Sequence, residues 1–140
     1  HFFQQYDEQG YVNLFEGSGG YADGEQLRDF VFIDDVTKIN MHFLSHPEIS
    51  GIFNVGTGRA QSFNEVATAV LNTLSGEQRT IAEWVKKDMI RYIPFPGQLE
   101  GKYQSYTQAD LDNLTVQGEY SAPFADVDAG VSAYMASLKA

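Results

Sequence analysis

The 140-residue chain contains no cysteine, which excludes disulfides, thiolate zinc sites and thiol nucleophiles together. Basic residues are scarce: 9 Lys and Arg stand against 19 Asp and Glu, giving a formal charge of −10. A phosphate backbone is bound by clustered Lys and Arg, so neither nucleic acid nor an anionic membrane surface fits as a partner. No uncharged apolar run approaches the ~20 residues that a bilayer requires. The opening residues do not read as a basic-then-apolar leader either. What is present is core material, with 43% hydrophobic and 14% aromatic residues. That content argues against wholesale disorder, and the length fits one domain.

The chain opens His1-Phe2-Phe3-Gln4-Gln5-Tyr6, with no initiator Met and no capping residue ahead of the apolar pattern. Phe2, Phe3 and Tyr6 share one helical face and Gly10 is a stop signal, so the expectation is a helix begun upstream, in the C-terminal portion of a longer protein. Tyr11–Phe15 alternates as a short strand, and the glycine-rich stretch 17–24 reads as a loop. Phe30–Ile33 and Ile52–Val55 are the two runs expected to form strands buried on both faces. The first leads into a helix carrying Val36, Ile39, Met41, Phe43 and Leu44; the second closes on Gly56-Thr57-Gly58. Ser62-Phe63-Asn64-Glu65 is a capping box, and Val66, Ala69, Val70 and Leu74 keep a helical period until Gly76. A short helix around Ile81, Trp84 and Val85 precedes a strand at Ile90–Ile93, which Pro94 ends or confines to an edge. Thr107–Asp110 resembles a further cap, before Leu111 and Leu114. A last helix follows Pro123 with Val127, Val131, Tyr134, Met135 and Leu138 facing inward. Strands alternating with helices predict an α/β fold with some parallel pairing, whose missing strand neighbours should lie upstream.

Several residue sets invite chemistry. His42 and His46 stand four apart, the spacing of two metal ligands, but the Glu of H-E-x-x-H is missing and no third ligand is evident; exposed helix-end histidines are expected instead. Asp34-Asp35 predicts one helix N-cap and one solvated or loop-binding group rather than a catalytic pair, because adjacent residues do not face one another. Gly56-Thr57-Gly58 follows a strand, yet Gln61 replaces the third glycine of a dinucleotide loop, so a tight strand–helix turn is the expectation. Arg28 closes the glycine-rich loop. Its guanidinium suits bidentate capture of a phosphate or carboxylate, and equally a salt bridge to Asp29 or Asp34. No G-x-S-x-G elbow or serine–histidine pair can be assembled.

Arg28-Asp29-Phe30-Val31-Phe32-Ile33-Asp34-Asp35-Val36 resembles the R-D-F-V-x-[VI]-x-D-V segment of extended short-chain dehydrogenases/reductases acting on nucleotide sugars. Phe53-Asn54-Val55-Gly56-Thr57-Gly58 is similar to the segment that follows in those enzymes. Leu14–Ser18, Gly58–Phe63, Tyr92–Pro96, Gly101–Gln104 and Thr107–Leu111 together resemble the ADP-L-glycero-D-manno-heptose 6-epimerases, over nearly the whole chain and in the same order. The departures are a longer loop at Tyr21–Gln26 and extra residues around Glu77–Lys87, positions where insertions are cheap.

The resemblance implies the C-terminal substrate-binding portion of an extended short-chain dehydrogenase/reductase, with late elements of a Rossmann-type parallel sheet. It implies an NADP-dependent isomerase of lipopolysaccharide core precursor synthesis, cytoplasmic and homo-oligomeric when intact. Its catalytic Tyr-x-x-x-Lys and NADP-binding glycine loop would precede His1, so this chain alone is expected to be inactive and to hold no catalytic residue. The substrate contacts it implies for the ADP-sugar are Phe15, Glu16, Gly17, Ser18, Arg28 and Tyr103. The chemistry it implies is transient oxidation of the sugar by NADP and hydride return to the opposite face.

Overall fold

The protein is described by a computed structural model over residues 1–138. Helix α1 (Phe2–Gln9) ends as expected at Gly10, which takes φ 79° and donates its N–H to the Tyr6 carbonyl at 2.9 Å. A left-handed cap of this kind is open to glycine at little steric cost. The chain then enters strand β1 (Val12–Phe15), which pairs in parallel with β4 (Ile90–Ile93), Val12 opposite Ile90 and Phe15 opposite Ile93. Pro94 follows at once and cannot extend the ladder. The architecture is therefore mixed α/β with a parallel pair, as the element order implied.

Helix α3 (Phe63–Ser75) covers this pair. Its capping box is present: Ser62 Oγ accepts from the Glu65 N–H at 3.2 Å, and Glu65 Oε2 accepts from the Ser62 N–H at 2.6 Å. Ala67 and Leu71 of α3 meet Val12, Leu14, Ile90 and Trp84 in the principal core, with Phe2 and Tyr6 of α1 laid against its edge. Each large apolar side chain buried there contributes roughly 1.5–3 kcal/mol. Trp84 comes from α4 (Ile81–Lys86), inside the stretch of extra residues, so that insertion supplies core as well as surface. Its indole N–H is satisfied by Asn72 Oδ1 at 2.8 Å. A second reciprocal box, Thr80 with Glu83, opens α4.

A second pair, not foreseen from the sequence, joins β2 (Leu27–Arg28) antiparallel to β3 (Gln61–Ser62), and Leu27 also bridges Tyr106. Conversely, the two runs expected as buried strands are not strands among the described residues. Phe30–Phe32 joins no ladder and Ile33 already opens α2 (Ile33–Ser45), while Ile52–Val55 is unpaired and Ile52 is 92% exposed. A run of apolar residues becomes a strand only where a neighbouring backbone offers free N–H and C=O groups. Neither run has one here.

Asp34 and Asp35 also differ from expectation: Phe32 is the N-cap of α2, and both carboxylates sit in its first turn, where the helix dipole favours them. Asp35 is buried and loop-binding, accepting from the Ala125 N–H at 2.8 Å and Lys38 Nζ at 2.7 Å. The N-cap of α5 (Asp112–Val116) is Leu111 rather than a residue of Thr107–Asp110, although Asp110 Oδ1 accepts from the Asp112 N–H at 3.0 Å. In α6 (Val127–Leu138), Val127 and Met135 are buried and Val131 is half-buried, but Tyr134 and Leu138 are exposed rather than inward. Among the described residues no helix is long and apolar enough to cross a membrane.

Candidate ligand-binding site

Arg28 and Tyr103 are far apart in the chain and in contact in the structure. The guanidinium carbon of Arg28 lies 4.8 Å from the centroid of the Tyr103 ring, within cation–π range. Tyr103 meets Phe95 edge-on at 5.3 Å, and Phe95 meets Phe15 edge-on at 5.6 Å, so the four side chains form a continuous row. Phe15 and Tyr103 line one cavity of about 200 Å³ together with Asn13, Gln26 and Ile93. Among the described residues Arg28 makes no salt bridge to a carboxylate; its Nη1 donates to the carbonyl of Leu27 at 2.9 Å. The alternative of an ion pair with Asp29 or Asp34 is therefore not what the structure contains, and the half-buried guanidinium keeps donors to spare.

Glu16, Gly17 and Ser18 continue directly from β1 into the loop. The Glu16 N–H donates to the Ile93 carbonyl at 2.8 Å, and its carbonyl accepts from Gln26 Nε2 at 3.1 Å. The Gly17 N–H is already spent on Asp23 Oδ1 at 2.7 Å, and Ser18 accepts from the Tyr21 N–H at 3.2 Å. A Cβ at Gly17 would run into the Tyr21 carbonyl, which explains the glycine there. Asn64, buried at the start of α3, holds the far side of the loop: its Nδ2 donates to the Asp23 carbonyl at 2.9 Å and to Glu25, and its Oδ1 accepts from the Tyr92 hydroxyl at 2.9 Å. For all its glycine, this loop is tied to the core at both ends. Sequence reading missed Asn64, because a second position inside a capping box carries no functional signal of its own.

The Gly56-Thr57-Gly58 turn does cradle an anion, but the anion is Asp29. One oxygen of that carboxylate accepts from the Thr57 N–H at 2.7 Å and Thr57 Oγ1 at 2.6 Å; the other accepts from the Gly58 N–H at 3.0 Å and the Ala109 N–H at 2.9 Å. Burial pushes the Asp29 pKa up, but these hydrogen bonds outweigh it and hold the group below the usual carboxylate value. A Cβ at Gly56 would come within 2.5 Å of Asp29 Oδ2 and 2.6 Å of Ala109 Cβ. The amides that a dinucleotide phosphate would need are occupied, so the described residues do not fit a nicotinamide cofactor at this turn.

His42 and His46 are half-buried rather than exposed. His42 Nε2 is bonded to the Gly118 carbonyl at 2.7 Å and His46 Nδ1 to the His42 carbonyl at 2.8 Å. No group of three or more potential ligands gathers around a metal position among the described residues. A larger cavity of about 400 Å³, between Phe30–Ile33 and α6, is almost wholly apolar and offers no convergent polar groups.

Residues 6–56 match the model of the NAD dependent epimerase/dehydratase family. Among solved structures, the UDP-N-acetylglucosamine 4-epimerase from Bacillus cereus is similar with a TM-score of 0.69 and 21% identity, over 99% of this chain and 42% of that one. An NAD dependent NDP-hexosamine 5,6-dehydratase involved in tunicamycin biosynthesis is similar with a TM-score of 0.59 and 20% identity, over 91% of this chain and 35% of that one. The UDP-N-acetylglucosamine 4-epimerase from Methanobrevibacter ruminantium M1, solved with UDP-N-acetylmuramic acid, gives a TM-score of 0.55 and 16% identity, over 96% of this chain and 50% of that one. The chain thus spans half or less of the length of each of these proteins. The fold of this chain is therefore shared with a part of each of these nucleotide-sugar epimerases and dehydratases, a mixed α/β architecture of the extended short-chain dehydrogenase/reductase type.

Proposed function

We propose that this chain is the C-terminal, substrate-binding region of a longer NADP-dependent enzyme that interconverts ADP-D-glycero-D-manno-heptose and ADP-L-glycero-D-manno-heptose. The observation that carries the reading is the Arg28–Tyr103 contact, a guanidinium without a carboxylate partner among the described residues, beside a cavity edged by Phe15. The guanidinium neutralises the diphosphate, the Tyr103 hydroxyl bonds phosphate or sugar, and Glu16 accepts from sugar hydroxyls. Supporting the finer assignment, the segments that resemble the ADP-heptose epimerases contribute Tyr103, which meets Arg28, Phe95, which packs on Tyr103, and Ala109, which donates to Asp29. The cofactor is held by residues outside this chain, since the turn that could cradle it is filled by Asp29. Homo-oligomeric assembly and a cytoplasmic location belong to the same reading.

A chain of net charge −10 should repel a diphosphate. Beyond a Debye length of ~8 Å that repulsion is largely screened, whereas close contact in a partly desolvated cleft is screened far less. A charge-assisted hydrogen bond contributes roughly 1.5–3 kcal/mol, so Arg28→Ala in the intact enzyme should raise the substrate Kd about 10- to 150-fold. Arg28→Lys should recover only part, because the fork geometry goes with the guanidinium. Titration of ADP-heptose into catalytically disabled protein checks this; unchanged affinity in Arg28→Ala would place the diphosphate elsewhere. Residues 1–140 alone should show no turnover and no saturable micromolar NADP binding.

A second reading is another nucleotide-sugar epimerase or dehydratase, favoured by the structural likeness to proteins named for UDP-N-acetylglucosamine and NDP-hexosamine. A product assay of the intact protein with ADP-heptose beside UDP-N-acetylglucosamine separates the two.

A further inference from the structure

Asp29 follows Arg28 directly, yet its carboxylate is engaged entirely by distant parts of the chain. Thr57 and Gly58 reach it from the G-T-G turn and Ala109 from the segment that follows Tyr103, while its own N–H donates to Thr107 Oγ1 at 3.3 Å. Gln108 closes the circle by donating to the Gly58 carbonyl at 2.6 Å. Strand β2, which carries Arg28, is only two residues long, and so brief a ladder cannot by itself hold a side chain in one place. The segment bearing Tyr103 has no strand of its own; it is attached through the backbone of Leu27, the Gln108–Gly58 bond, the Phe95 ring and Asp29.

We propose that Asp29 is the positioning residue of the ligand site: its carboxylate staples the Tyr103–Ala109 segment and the Gly56–Gly58 turn to β2, and thereby keeps the Arg28 guanidinium seated on the Tyr103 ring. It touches no ligand. This inference rests on the reading of Arg28 and Tyr103 as the diphosphate anchor. Its chemistry is specific to a carboxylate, because the four donors aimed at it demand four acceptor positions. An asparagine of the same shape would turn its NH2 toward either the Thr57 pair or the Gly58 and Ala109 pair, donor against donor in both cases. Gly56 belongs to the same device, since a side chain there would occupy the place of Asp29 Oδ2.

The test uses the intact protein, with Asp29→Asn and the milder Thr57→Val, each also in an Arg28→Ala background. ADP is the probe, and the Arg28 Nε–H resonance, shifted by the ring current of Tyr103, reports the contact without ligand. Asp29→Asn should move that resonance toward its free-arginine position and raise the Kd for ADP about tenfold, and Thr57→Val about two- to threefold. In the Arg28→Ala background both should cost less than about twofold, because the anchor they position is gone. An equal loss in both backgrounds overturns the proposal, since Asp29 would then act on the fold at large. So does an unmoved resonance with unchanged affinity, which leaves the functional reading standing. A parent protein that binds no ADP, but whose resonance moves in Asp29→Asn, sinks the functional reading and upholds the staple.

Discussion

Val12–Phe15 and Ile52–Val55 have almost the same make-up, three apolar residues and one asparagine each, and opposite outcomes. Val12 is fully buried, with β4 paired alongside and α3 above; Ile52 is 92% exposed, and its carbonyl accepts from Asn113 Nδ2 at 2.8 Å. Phe53 is the exception in the second stretch, stacked on Phe43 at 4.8 Å. The difference lies outside both segments. A short apolar run states a readiness to be buried, and the neighbouring backbone decides whether burial happens.

That contrast can be broken most forcefully at the core. Leu71→Ala should lower unfolding free energy by about 2–5 kcal/mol, read from denaturant or thermal unfolding. A loss below about 1 kcal/mol would mean that the site collapses freely and that the Val12–Leu71–Trp84 cluster is not the main core. Ser62→Ala, which removes one half of the α3 capping box, should cost about 1 kcal/mol in the same assay. Ser62→Gly should cost less.

The acid limb tests the region around Asp29. Burial pushes the Asp29 and Asp35 carboxyls up, but their hydrogen bonds outweigh it and hold both below the usual carboxylate value, so the unfolded chain binds protons more readily. The stability from this shift is present above the unfolded pKa and is lost as pH falls through the folded ones. Unfolding midpoints of the parent should therefore fall as pH drops below 3.8, and Asp29→Asn should flatten that fall. An unchanged slope in the variant would mean that the clasp is not ionised in the folded state. The smallest effect belongs to Ile52→Ala, within about 0.5 kcal/mol for residues 1–140. A much larger cost would show that this run is buried against a partner in solution.

Much of the packed half was legible in the sequence because its signals are local. Gly10 and Gly76 stop their helices, Ser62 and Glu65 cap α3, Pro94 follows the end of β4, and Trp84 sits in the expected short helix. The two-residue pair Leu27–Arg28 with Gln61–Ser62 was not legible, since nothing so short has a period. Of the candidate site, the resemblance named Arg28 and Tyr103, and the structure brings them together. It did not name Asp29. The Gly56-Thr57-Gly58 turn read only as a tight strand–helix turn, and its spacing does not say that a carboxylate of the chain itself would take its amides. A cap, a stop and a turn are written in adjacent residues; a carboxylate that serves two distant segments is not.

The Asp29 clasp also bears on how the protein is made. Ala109 lies 80 residues beyond Asp29. At ~5–20 residues per second, a ribosome needs about 4–16 s between the two. For that interval Arg28 exists on a nascent chain whose Thr57 and Gly58 can already approach Asp29 while the Tyr103–Ala109 segment has not emerged. Contacts of such long separation are slow to find and close late. The helices and the β2–β3 pair can form early; the Arg28–Tyr103 contact cannot. A chain arrested before Tyr103 would carry folded helices and Arg28, but not the ring on which its guanidinium rests.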